Sequence, residues 1–175
     1  MKVEERKKLH LGEYPTPLEY MGNLTKKYGK GKLYIKRDDI AGPAFGGNKT
    51  RKLEYIMQEA VEEGYTAMLT VGGPQTNHGK TTVAAAVKLG LKPILVLGGK
   101  APDYLSGNLT LDAMMGADIV FAGDDMPGAV KATIERYEKQ GDKVYNLPAG
   151  GTAMTGVAGY IMAVPELMKQ LEEQN

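Results

Sequence analysis

The sequence predicts an α/β fold: a parallel sheet of about four strands flanked by helices. Three observations carry the prediction. First, the segments EEGYTAMLTVGG, KLGLKPILVLGG, MMGADIVFAG and KQGDKVYNLP share one layout, in which a helical pattern meets a glycine stop and then a short β-branched or aliphatic run. Second, the stop glycines Gly64, Gly90, Gly116 and Gly141 fall 26, 26 and 25 residues apart, the length of one helix plus one strand and their turns. Third, Leu53, Ile56, Met57, Ala60 and Val61 follow the i, i+3, i+4, i+7, i+8 spacing of an amphipathic helix. Strands that alternate with helices predict a parallel sheet, because each parallel step needs a crossover helix.

The elements follow in order. KLYIKRDD reads as a strand with a polar end and runs into the Gly/Pro-rich loop AGPAFGG. The next helix carries the Leu53 stripe, with Arg51, Lys52, Glu59 and Glu62 off it, and reads as core-facing. The four-stranded sheet lies between about residues 65 and 146, with an Ala/Val-rich helix opened by Gly-Lys-Thr at 79 to 81. After the last strand, GGTAMTGVAG leads into a Met/Ala/Leu-rich helix, which Pro165 should kink or restart.

A chain of 175 residues accommodates one domain with a real core, and no linker or low-complexity tract divides it. The 22 basic and 21 acidic residues nearly balance, which argues against a nucleic-acid tract or an anionic membrane surface and favours small-molecule work. The absence of cysteine removes disulfides, thiolate metal sites and thiol nucleophiles. MKVEERKKLHLGEYP lacks the apolar core of a signal peptide, and no long apolar run occurs elsewhere, so the expected location is the cytoplasm, unanchored.

Residues 71 to 82, VGGPQTNHGKTT, look like a phosphate-binding loop. The Walker pattern places four residues between its first glycine and Gly-Lys-Ser/Thr; here Pro74 to His78 intervene, so the register is off by one. Pro74 also removes a backbone donor. Nucleotide binding is therefore a minor alternative. Gln75, Thr76, Asn77 and His78 instead sit where a strand ends and a helix begins, the crevice position at which open α/β sheets bind ligands. Simple helix capping by Thr or Asn explains the same residues equally well.

A second stretch, AFGGNKTRKLEY, places Lys49 after a Gly-Gly-Asn turn at the start of the Leu53 helix. A positive side chain there opposes the helix dipole, and that field together with desolvation favours the neutral, nucleophilic amine. Read locally, Lys49 is also consistent with a solvated lysine in a basic run with Arg51 and Lys52.

Six blocks in order resemble the pyridoxal-phosphate enzymes of the tryptophan synthase β-like fold (fold type II), in the branch of 1-aminocyclopropane-1-carboxylate deaminase and D-cysteine desulfhydrase. They are PTPLEY at 15 to 20, LYIKRDD at 33 to 39, GGNKTRKLEY at 46 to 55, VGGPQTNHGKTTVAAAVKLGLK at 71 to 92, NLTLDAMMGADIVF at 108 to 121 and LPAGGTAMTGVAGY at 147 to 160. The resemblance implies pyridoxal 5'-phosphate as cofactor, Lys49 as the Schiff-base lysine and Asn77 as the amide beside the cofactor's ring hydroxyl. It implies that Asn48, Thr76, Asn77 and His78 line the substrate pocket, with Lys52 as a second positive charge for an anionic substrate. Thr76 stands where the family commonly has a catalytic serine. Its extra methyl stiffens χ1 and crowds the approach, which weakens the case for cyclopropane opening in particular. The implied reaction is elimination or deamination of a small amino acid to a 2-keto acid and ammonia.

Such enzymes are about twice this length, and the resemblance places their phosphate-binding loop and ring-side tyrosines in a second half. This chain therefore reads as the N-terminal half. Residues 1–48 and 147–175 are expected to be pieces of a larger, incomplete cofactor domain, and 49–146 a small α/β domain. The expected partners are a complementary C-terminal half or second subunit, a small amino-acid substrate, and a further copy in a homo-oligomer, with no nucleic acid or membrane. A non-catalytic α/β binding module derived from the same family is the alternative. An exposed apolar face on the terminal segments, IMAVPELMKQL among them, would separate the two.

Overall fold

The computed structural model describes residues 5–174; the first four residues of the charged N-terminal stretch and Asn175 lie outside it. Strands β3 (Ala67–Gly72), β4 (Lys92–Leu97), β5 (Asp118–Phe121) and β6 (Val144–Leu147) form the expected parallel sheet, in the order β5-β4-β3-β6. β3 pairs with β4 from Ala67 opposite Lys92 to Gly72 opposite Leu97, and with β6 from Ala67 opposite Val144 to Thr70 opposite Leu147. The chain steps outward from β3 to β5, then returns to lay β6 on the free side of β3. That reversal makes a switch point between β3 and β6, where a crevice opens at the carboxyl ends of the strands. Each of the four stop glycines has positive φ, between 73° and 90°, ending the preceding helix in a left-handed turn.

The strands' period of two divides the core. Met68 packs with Leu53, Ile56, Met57 and Ala60 of α2 (Thr50–Glu62) and with Ala85 and Ala86 of α3 (Asn77–Lys88). On the other face, Ala67, Leu69, Ile94 and Val96 meet Ala129, Val130 and Ile134 of α5 (Met126–Glu138). Leu109 of α4 (Asn108–Met114) joins Val83, Leu95 and Leu97 on the α3 side. Leu53, Ile56 and Met57 have no exposed surface, and burying each contributes about 1.5–3 kcal/mol. Two features of α2 differ from the periodic expectation. Val61 is 43% exposed because no element covers the last turn of its stripe, whereas Arg51 is buried because side chains distant in sequence neutralise it.

The remaining elements bring the two ends of the chain together. β1 (Leu18–Tyr20) and β2 (Tyr34–Lys36) form an antiparallel pair, with α1 (Gly22–Tyr28) between them in sequence. After β6, α6 (Met154–Ile161) crosses α2 so closely that a β-carbon on Gly159 would strike the Arg51 carbonyl. The helix breaks at Met162 and restarts as α7 (Ala163–Glu173), with Pro165 in the first turn, where its missing N–H has no partner to lose. α7 lies against the N-terminal segment: Gln170 Nε2 donates to the Thr16 carbonyl at 2.8 Å and Gln174 Nε2 to the Leu18 carbonyl at 2.7 Å. Arg51 ties all three regions, donating to Asp38 at 2.8 and 2.9 Å and to both oxygens of Glu166 at 2.9 Å, with Tyr14 stacked 4.3 Å away. No helix among the described residues is long and apolar enough to cross a membrane.

Candidate active site

α2 and α3 pack on the same face of the sheet, so the turns that open them are neighbours. Lys49 occupies the N-cap position of α2: its carbonyl accepts the Leu53 N–H at 2.9 Å, while its side chain makes no capping bond. The loop that delivers it is closed at its base by Gly47 N–H donating to the Asp38 carbonyl (3.1 Å) and Thr50 Oγ1 donating to the Ala41 carbonyl (2.9 Å). Partial burial lowers the basicity of the Lys49 amine, and the Lys52 charge lowers it further. Among the described residues the amine has neither a hydrogen bond nor an ion pair. Lys52 reaches across to the loop after β6, where Nζ donates to the Gly150 carbonyl at 3.3 Å.

Thr76 is the N-cap of α3, and its hydroxyl oxygen accepts the Gly79 N–H at 3.1 Å. A phosphate loop would present that amide to its ligand, whereas here the Thr76 cap takes it, so the stretch is not built as a P-loop. His78 is 5% exposed and bridges the switch point. Its Nε2 lies 3.0 Å from Thr70 Oγ1, which itself donates to the Leu147 carbonyl at 3.0 Å. Burial, and then the charges of Lys49 and Lys52, push the imidazole down to about 4, so it is neutral at pH 7; Nδ1 is buried with no partner among the described residues. His78 thus offers a polar contact and no charge.

Asn48 and Asn77 line one cavity of about 440 Å³ together with Asp38, Gly46, Gly47 and Lys80. An adjoining, more apolar cavity of about 360 Å³ shares Asn48 and Asp38 and extends to Tyr160, Val164 and Leu167. Tyr160 Oη donates to the Asn48 carbonyl at 2.9 Å, joining α6 to the lysine loop. The structure therefore brings Asn48 and Asn77 onto one wall and places Lys49, Lys52 and His78 in one electrostatic neighbourhood. Thr76 turns its hydroxyl onto its own helix, and neither it nor Lys49, Lys52 or His78 lines either cavity. Sequence reasoning missed Asp38, Lys80, Asn108 and Tyr160. Asn108 and Tyr160 sit at the edges of blocks that were noticed, but no local period shows that they reach Asn77 and Asn48.

The pyridoxal-phosphate dependent enzyme family matches residues 9–175. The chain belongs to that family. It is 39% identical over 168 residues to a Thermotoga maritima protein provisionally named 1-aminocyclopropane-1-carboxylate deaminase, covering 94% of this chain and 53% of the relative. It is 38% identical over 173 residues to the D-cysteine desulfhydrase of Salmonella typhi, covering 95% and 52%. A solved structure of an ACC deaminase homologue superposes with a TM-score of 0.86 at 38% identity, over 96% of this chain and 52% of that one. Escherichia coli diaminopropionate ammonia lyase shares the fold, with a TM-score of 0.63 at 20% identity over 93% of this chain and 48% of that one. This family member spans about half the length of the curated relatives it matches.

The donor set fits the reactive end of pyridoxal phosphate. Asn48 and Asn77 line a concave space, the partly desolvated Lys49 amine follows Asn48 directly in the chain, and among the described residues neither that amine nor the Asn77 NH2 has a partner. The Gly/Thr-rich residues 150 to 156 do not stand in for the phosphate-binding loop that the resemblance places in a second half. Gly151 N–H already bonds the Pro148 carbonyl and Ala153 N–H the Gly151 carbonyl, each at 3.0 Å.

Proposed function

We propose that this chain is the N-terminal half, or a subunit, of a pyridoxal-phosphate dependent lyase or deaminase. Its substrate is a small amino acid, converted to a 2-keto acid and ammonia, with sulfide released when the substrate is D-cysteine. The observation that carries the reading is Lys49: an amine of lowered basicity, without a partner, on the face of the sheet shared with Asn77. When bound, the cofactor supplies an electron sink that stabilises a carbanion next to the substrate nitrogen. Lys49 would hold the cofactor through Nζ, and the same amine would move a proton at the substrate's α or β carbon. Asn77 would donate to the ring oxygen. Asn48 and the partly buried Lys52 would orient the substrate carboxylate, and neutral His78 would keep a polar, uncharged group near Lys49 and Lys52. Thr76 holds the start of α3 in place through its cap; its hydroxyl hydrogen remains available to a ligand.

In the proposed assembly, residues 1–48 and 147–175 belong to the larger cofactor domain and 49–146 form the small domain. A complementary half covers the apolar side chains that the terminal segments leave open. Phe45 is 80% exposed, Met154 87%, Val164 54% and Met168 58%, large apolar side chains left uncovered on the terminal segments. This exposure favours the half-enzyme over the autonomous binding module.

The test is to mix the purified chain with pyridoxal phosphate, reduce with borohydride and map the modified peptide by mass spectrometry against Lys49→Ala. Selective labelling of Lys49 is expected. Labelling scattered over many lysines and unchanged in the variant would refute the site.

A further inference from the structure

Three amide side chains where α3 and α4 begin are locked in single orientations. Gln75 Nε2 donates to the Ser106 carbonyl and Gln75 Oε1 accepts the Asn108 backbone N–H, both at 2.9 Å, so each end faces a group with one possible role. Asn108 Nδ2 donates to the Gln75 carbonyl at 3.0 Å, a place no oxygen can take. The same Nδ2 donates to Asn77 Oδ1 at 2.9 Å. Asn77 therefore turns its oxygen to Asn108 and, among the described residues, keeps its NH2 unengaged at the wall of the cavity it shares with Asn48. Gly107 permits the close approach. Its φ of 55° with ψ of −130° suits glycine, and a β-carbon there would collide with the Gln75 amide oxygen.

We propose that Asn108, held by Gln75, is a positioning residue that makes Asn77 a hydrogen-bond donor toward the cavity and prevents it from acting as an acceptor. The ligand group it selects is an anionic or carbonyl oxygen. The identity of that oxygen as the cofactor's ring oxygen rests on the pyridoxal-phosphate reading; the amide's orientation does not. An unrestrained amide would present its wrong end about half the time and weaken binding about twofold. An inverted amide sets oxygen against oxygen, forfeits the bond and weakens binding about tenfold or more.

Asn108→Ala removes the restraint, while Asn108→Asp forfeits the bond to the Gln75 carbonyl and, by setting an acceptor against Asn77, favours the inverted amide. In the ligand-free, ¹⁵N-labelled chain, the Asn77 side-chain NH2 is assigned by its loss in Asn77→Asp and followed by NMR. Its resonances are expected to follow the titration of the new carboxylate in Asn108→Asp and to broaden from exchange in Asn108→Ala. Asn77 NH2 resonances indifferent to both substitutions would overturn the proposal. In parallel, pyridoxal phosphate binding is measured on variants whose circular dichroism is native. The expected loss is about twofold for Ala and at least tenfold for Asp, with a weaker long-wavelength absorption band for Asp, because the ring oxygen loses the donor that keeps it ionised. Equal losses that track melting temperature would show a merely structural contact and also overturn it. If even the unaltered chain takes up no pyridoxal phosphate, the chain alone has no working cofactor site and the binding-module reading moves ahead, and the NMR result still decides the orientation of Asn77.

Discussion

Replacing Glu166 by Gln keeps the shape of a side chain on which four donor nitrogens from three residues converge and removes its charge. The carboxylate accepts both Arg51 terminal nitrogens at 2.9 Å, the Lys36 ammonium at 2.5 Å and the Thr16 N–H at 3.1 Å, and its side chain is only 16% exposed. Burial alone would raise its pKa, but the hydrogen bonds and charges of Arg51 and Lys36 outweigh it and hold the carboxyl at about 2, against an ordinary 4.5. At about 1.36 kcal/mol per pH unit, that gap is worth about 3.4 kcal/mol, and residual solvent screening reduces it to about 2–3 kcal/mol. Breaking a buried ion pair from one side leads to a similar figure, about 3–5 kcal/mol. Because the folded pKa is depressed, the contribution is complete above pH 4.5 and fades as pH falls toward 2. Urea unfolding of the unaltered chain and Glu166→Gln should therefore differ by about 2–3 kcal/mol at pH 7, or roughly 4–12 °C in melting temperature for a domain of this size. The two should converge near pH 2. A difference below about 0.5 kcal/mol at pH 7, the level of an ordinary surface substitution, would refute the argument. So would a difference that persists undiminished at pH 2.

Two further outcomes are expected. Asp112 on α4 has no exposed surface and both its carboxyl oxygens lack a partner among the described residues; burial pushes its pKa up to about 6, with Lys80 pulling the other way. A raised folded pKa means stability is lost as pH rises from 3.8 through 6, so Asp112→Asn should stabilise the chain by about 2 kcal/mol at pH 7 and by nothing below pH 3.8; equal effects at both pH values in thermal melts would count against it. Lys52→Gln removes the charge that adds to desolvation in lowering Lys49. The midpoint for trace acetylation of Lys49, read by mass spectrometry across pH, should move upward, and a midpoint that stays put or falls would show that Lys52 does not act on Lys49.

Much of the fold was legible because its signals are local. A glycine every 26 residues, followed by an aliphatic run, marks one helix, its stop and one strand without reference to the rest of the chain. The turn before Lys49 and the capping residues before α3 are likewise written in a few consecutive positions. Arg51 was misplaced for the complementary reason. Helical periodicity sets it on the polar face, but its burial depends on Asp38, 13 residues away, and Glu166, 115 residues away. The link from Asn108 to Asn77 spans 31 residues and has no periodic trace either. Val61 shows the converse, an apolar position that the pattern assigned to the core and no neighbouring element came to cover.

By itself the sequence determined the alternation of strands and helices, the glycine stops, the amphipathic stripe of α2 and, through six ordered blocks, the kinship to pyridoxal-phosphate enzymes. These follow from backbone preferences and side-chain periods that act over a few residues. Only the tertiary structure decided that β6 returns to the free edge of β3, that α2 and α3 share a face so that Asn48 and Asn77 meet, and that Arg51 becomes a buried clamp between the two ends of the chain. Those outcomes depend on which surfaces close on one another, and the partner that neutralises a charge or orients an amide is selected in space, at a distance along the chain that no local pattern encodes.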